Sequence, residues 1–116
     1  SARRLAINAH YRDRLADVAG MSFMPIPSWS GWNGWLTCVT FDDVAKRDDV
    51  MAALDAADIE SRPLWKPMHL QPVFRDTSAR VDGTSEHLFR LGVCLPSGSA
   101  LTDAQVDRVA DIILSL

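Results

Sequence analysis

Cysteine is scarce in this chain: two residues, Cys38 and Cys94, among 116. They stand in no C-x-x-C or metal-ligand spacing, which excludes a zinc ribbon and a local disulfide framework. They read as free, reduced, buried thiols of a cytoplasmic protein, with a disulfide between the two as the less favoured alternative. Long apolar runs are missing too. No stretch approaches the roughly twenty residues that cross a bilayer, so no membrane partner is expected. The opening "SARRLAINAHYRDRL" carries charges where a secretory leader carries an apolar run. A basic surplus is absent: the formal net charge is −3, against a nucleic-acid partner. The three histidines share no ligand spacing, so no metal site is expected. G-x-S-x-G, P-loop and G-x-G-x-x-G motifs are all lacking, and no nucleophile stands beside its base. On residues alone the chain reads as a binding domain without a catalytic centre.

What is present is ordinary globular material, 47% apolar and long enough for one domain with one core. Ala2 to Ala19 reads as a helix with Leu5, Ala9, Leu15 and Val18 on its apolar side and Gly20 as its stop. His10 on that helix reads as surface, and so does His87 further on. Met21 to Trp35, with Pro25, Pro27, Gly31 and Gly34, reads as a loop. Trp29 and Trp32 in that loop either pack on the domain's own edge or face a partner. "WLTCVTF", Trp35 to Phe41, reads as a central strand, with Trp35, Thr37, Val39 and Phe41 on one side. A helix is expected from Lys46 to Ala57, with Asp48 and Asp49 in its first turn. A strand follows over Ile59 to Trp65, then a short helix over Ser85 to Leu91 and a strand over Gly92 to Pro96. Thr102 with Gln105 forms a capping box that opens a last helix striped by Val106, Val109, Ala110 and Ile113. This order predicts a two-layer α/β sandwich: a small, mainly antiparallel sheet of about three strands covered by helices.

The chemistry concentrates in "SRPLWKPMHLQP", Ser61 to Pro72. Its three prolines forbid a regular helix and predict a stiff, extended segment. Arg62, Lys66, His69 and Arg75 fall within fourteen residues, a cluster suited to phosphate, diphosphate or carboxylate. Alternation along an extended chain puts Arg62 and Lys66 on one side. Trp65 is placed to stack on a sugar or base, and Gln71 to hydrogen-bond to a polar ring. The competing reading is a solvated rim with Trp65 filling the domain edge, and spacing alone favours it. "LPSGS" resembles a phosphate-cradling turn only loosely; a plain strand-to-helix connection accounts for it as well.

Four stretches carry a resemblance to a known family: "GMSFMP" (Gly20–Pro25), "NGWLTC" (Asn33–Cys38), "IESRPLWKPMHLQPVF" (Ile59–Phe74) and "SEHLFRLGVCLPSGSALTDAQVDRV" (Ser85–Val109). In order and spacing the chain resembles the C-terminal domain of the DegT/StrS nucleotide-sugar aminotransferases, fold type I pyridoxal-phosphate enzymes. It looks most like the branch that aminates C4 of a UDP-linked 4-keto-6-deoxy sugar. The resemblance implies a homodimeric parent whose large N-terminal domain holds the cofactor lysine, and this chain then has no catalytic or cofactor-binding residue of its own. Neither Lys46 nor Lys66 matches the cofactor lysine, so pyridoxal phosphate is expected with the parent and not with this chain alone. The helix that begins almost at residue 1 would connect to that large domain. By the same resemblance, Arg62 and Lys66 neighbour the diphosphate, and Trp65 and His69 lie at the sugar or the cleft wall. The family commonly has Arg where this sequence has Gly34, which removes a cation from that loop. The alternative is a free-standing module that binds sugar phosphates or another protein without catalysis.

Overall fold

A computed structural model describes residues 2–116. Among the described residues four α-helices lie against a four-stranded sheet, so the two-layer α/β class holds, with one strand more than the sequence suggests. The helices are α1 (Ala2–Arg14), α2 (Val44–Ala56), α3 (Thr84–Leu91) and α4 (Asp103–Leu114); the strands are β1 (Met21–Phe23), β2 (Thr37–Phe41), β3 (Arg62–Pro63) and β4 (Gly92–Leu95). The sheet runs β1-β2-β4-β3 and every neighbouring pair is antiparallel.

The extra strand is β1, inside the segment read as a loop. It pairs Met21 with Phe41 and Phe23 with Val39. Three residues followed closely by Pro25 and Pro27 give too short a pattern to show a strand period. In β2, Thr37, Val39 and Phe41 are buried and Cys38 and Thr40 are half-buried, so alternation puts the first three on the helix side. Trp35, expected on that side, precedes the strand and stays 58% exposed. β3 shrinks to two residues at the sheet edge, where Pro63, which has no N–H, is tolerated.

The apolar side of α1 differs from expectation. Ile7 and Tyr11 are buried while the expected Leu5 and Ala9 are exposed; Leu15, just past the helix, is buried as expected, four residues after Tyr11. Tyr11 serves as core because its hydroxyl donates to the carbonyl of Pro96 at 2.8 Å; burial pushes its pKa well up. α2 starts two residues earlier than expected, capped by the Asp43 carboxylate, which accepts from the Ala45 N–H at 2.9 Å. Asp48 and Asp49 consequently fall in its second turn. α4 matches: the Thr102–Gln105 box closes both ways, and Val106, Val109, Ala110 and Ile113 are all buried. These residues join Val50 and Leu54 of α2 and Val39, Phe41, Val93 and Leu95 of the sheet in one core. Each fully buried Val, Leu, Ile or Phe side chain among them contributes about 1.5–3 kcal/mol.

α1 and α4 are also tied by charge. Asp107 accepts from Arg14 and lies 2.7 Å from His10 Nε2, and Arg3 pairs with Asp103 at 2.9 Å. His10 is therefore a half-buried packing residue and not the surface group expected. Among the described residues no helix is long and apolar enough to cross a membrane.

Candidate functional site

The segment after β3 is less extended than its prolines suggest. Pro67 and Pro72 open two short 3-10 turns, Met68–Leu70 and Pro72–Phe74, because each ring presets a turn-compatible φ. The Gln71 side chain folds back to donate to the Lys66 carbonyl at 3.1 Å, so it serves the turn rather than a ring.

The predicted residues fall in three places. Arg62 and Trp65 line a cavity of about 900 Å³, together with Trp35, Cys94, Ser97 and Arg108. Its volume is that of a small-molecule site. Trp65 and Trp35 meet with ring centroids 5.6 Å apart and planes tilted by 41°, and both remain largely exposed. Lys66 is exposed and outside this cavity, so it does not share a wall with Arg62. His69 is turned away as well: it faces Glu86 at 4.0 Å and lines a separate polar cleft with Arg80, Asp82 and Ser85. In that cleft Asp82 accepts from the Thr84 N–H, which holds its carboxyl below the usual carboxylate range.

Arg62 is 76% exposed and held by Glu60, whose Oε1 accepts from Nε at 2.9 Å and from Nη2 at 2.7 Å. An exposed pair of this kind is worth about 0–1 kcal/mol, so an incoming anion can take the guanidinium from Glu60 at little cost. Arg108 supplies a second cation from α4, 46 residues away in sequence, while its Nη2 donates to the Ala57 carbonyl at 3.2 Å. Nothing local marks Arg108: on its helix it reads as one more polar surface position. The Ser97 hydroxyl is spent inside the fold, donating to Leu95 O at 2.7 Å and accepting from Thr37 N–H at 2.8 Å. "LPSGS" is thus a buttressed strand-to-helix turn.

The loop before β2 explains its own missing cation. Gly34 has φ +72, and a Cβ there would lie 3.0 Å from the Leu5 backbone nitrogen. An arginine is disfavoured at this position on backbone grounds. The Arg4 guanidinium instead donates to the neighbouring Trp35 carbonyl at 2.7 Å.

The model of the DegT/DnrJ/EryC1/StrS aminotransferase family matches residues 1–114. The chain belongs to that family. EpsN of Bacillus subtilis (strain 168), named as a pyridoxal phosphate-dependent aminotransferase, is 37% identical over 122 residues; the match takes in 98% of this chain and 30% of EpsN. The GDP-perosamine synthase of Caulobacter vibrioides is 31% identical over 111 residues, covering 93% of this chain and 30% of the synthase. Among solved structures, S. venezuelae DesV in complex with a ketimine intermediate superposes with a TM-score of 0.83 at 28% identity, across 98% of this chain and 31% of DesV. The chain therefore spans about 30% of the length of the family members it matches.

Pyridoxal-phosphate transaminases hold their cofactor through a lysine amine in the active cleft. The two lysines here do not fit that role. Lys46 is on α2 with its Nζ donating to the Leu116 carbonyl at 3.4 Å, and Lys66 stands in solvent; neither lines the large cavity.

Proposed function

We propose that this chain is the C-terminal, substrate-binding domain of a pyridoxal-phosphate-dependent aminotransferase that transfers an amino group to a keto nucleotide-sugar, at C4 of a UDP-4-keto-6-deoxy sugar. The observation that carries this reading is a family match running from residue 1 to residue 114 in a chain with no lysine placed for the cofactor. The parent's large N-terminal domain then supplies the cofactor lysine, and the parent works as a cytoplasmic homodimer. Arg62 takes the diphosphate, assisted by Arg108. Trp65, against Trp35, offers a ring face to sugar or base. Lys66 and His69 serve the same ligand from outside that cavity, Lys66 toward the diphosphate and His69 at the cleft wall. Catalysis is not assigned to any residue of this chain.

Two measurements test this. Titration with a UDP-linked sugar should quench tryptophan fluorescence saturably, and parallel titrations with UDP, GDP and the free sugar identify which part is read. Mixing with equimolar pyridoxal phosphate should produce no lysine-dependent yellow absorbance band; a band abolished by Lys46→Ala or Lys66→Ala would place cofactor chemistry in this chain.

A second reading rests on Trp29, which is 86% exposed in its loop. A free-standing interaction module would use that ring. Trp29→Ser then weakens partner capture while leaving the nucleotide-sugar titration unchanged.

A further inference from the structure

Cys38 and Cys94 are 56 residues apart in sequence and directly opposite each other on β2 and β4, with their sulfurs 3.7 Å apart. The backbone decides what kind of opposition this is. The Cys38 carbonyl accepts from the Met24 N–H on the β1 side at 3.1 Å. Its own polar groups therefore point away from β4, while Thr37 turns its N–H the other way, to Ser97 at 2.8 Å. Cys38 and Cys94 are thus a non-hydrogen-bonded cross-strand pair, the type in which Cα atoms lie about 4.5 Å apart and side chains approach closest. That spacing falls inside the roughly 4.4–6.8 Å that a disulfide spans. Both side chains project from the sheet face opposite the helix layer; Cys38 is half-buried, and Cys94 is nearly enclosed at the wall of the large cavity.

We propose that Cys38 and Cys94 form a reversible dithiol–disulfide pair, closed by thiol–disulfide exchange with a low-molecular-weight disulfide such as oxidised glutathione. The Cys38 thiolate attacks one glutathione sulfur, a Cys38–glutathione bond forms, and one glutathione thiolate leaves. The Cys94 sulfur then attacks the Cys38 sulfur, gives its proton to solvent and expels the second glutathione thiolate. The protein loses two protons and two electrons, and one glutathione disulfide becomes two thiols. The order follows from access and charge. Cys38 is the more accessible sulfur, and the hydrogen bond from Cys94 lowers its pKa, while that same contact and then burial raise the Cys94 pKa. Arg62, opposite Cys94 in the ladder, is a cation beside the resolving thiol. Closure clamps β2 to β4 at the cavity wall.

The test is intact mass and thiol titration of the folded chain after incubation with oxidised glutathione. The expected result is loss of both thiols, a mass lower by two hydrogens, a monomer, and full reversal by dithiothreitol. In Cys94→Ser the reaction should stop with one glutathione held on Cys38, and in Cys38→Ser the Cys94 thiol should remain free, which keeps the test open if either variant folds. Retention of both thiols, a stable glutathione adduct on the unsubstituted chain, or a disulfide-linked dimer would overturn the proposal.

Discussion

Ser97 connects three parts of the fold through one hydroxyl. It accepts from Thr37 N–H and donates to Leu95 O, and Thr37 in turn accepts from Asn8 Nδ2 at 3.2 Å. This buried chain of bonds joins α1, β2 and the turn after β4, the turn that bounds the cavity. Ser97→Ala would leave the Thr37 N–H without its acceptor in the interior, and should cost about 1–3 kcal/mol in chemical denaturation. Gly92 is constrained differently. A Cβ there would fall 2.3 Å from Leu64 Cδ1 and 2.6 Å from the Leu88 carbonyl oxygen. The whole Leu64 side chain, its Cγ at 2.5 Å included, would have to move and the carbonyl cannot, so Gly92→Ala should destabilise by about 1–3 kcal/mol and loosen the packing of Leu64 on the sheet. Sequence shows little of this. Ser97 reads there as part of a strand-to-helix connection and Gly92 as the first residue of a strand, because Thr37 and Leu64, which meet them, come from distant segments.

At the scale of elements, α4 was the most readable part, since a capping box and an i, i+3, i+4, i+7 stripe are local signals. β1 is the least readable, since its identity comes from pairing with β2 and not from its three residues, while β3 is legible as a strand but not in its length, which pairing with β4 limits to two residues. The division of Arg62 and Trp65 from Lys66 and His69 is hidden for a related reason: Arg62 and Trp65, three residues apart, share the cavity against simple alternation, and the 3-10 turns at Pro67 and Pro72 then carry His69 elsewhere. The α1–α4 contact yields a pH prediction. Hydrogen bonds from Arg14 and then His10 hold the Asp107 carboxyl below its ordinary value of 3.8. A depressed carboxyl stabilises the fold above its unfolded pKa, and that stability is lost as pH falls through the folded value. Urea midpoints should therefore fall as pH drops below about 4, and Asp107→Asn should flatten that part of the profile. An equally steep acid profile in the variant would remove Asp107 from the account.

Taken as a whole molecule, the chain leaves much apolar surface uncovered. Trp29, Met68 and Val73 are each mostly exposed, and Trp35 and Trp65 lie open at the cavity. Patches of this kind mark interfaces or ligand sites. If the parent's large domain covers them, the isolated chain should self-associate as concentration rises in sedimentation velocity, and a clean monomer at high concentration would count against that cover.

The central claim is that the cavity between β3 and α4 receives a nucleotide-sugar. Its most direct measurement is the fluorescence titration with a UDP-linked sugar, run on the unsubstituted chain, Trp65→Phe and Arg62→Ala. Saturable quenching is expected, most of it lost in Trp65→Phe, with binding weakened about tenfold or more in Arg62→Ala, the size expected for a charge-assisted contact of about 1.5–3 kcal/mol. Quenching that is equal in all three proteins, or absent from the unsubstituted chain, would contradict it.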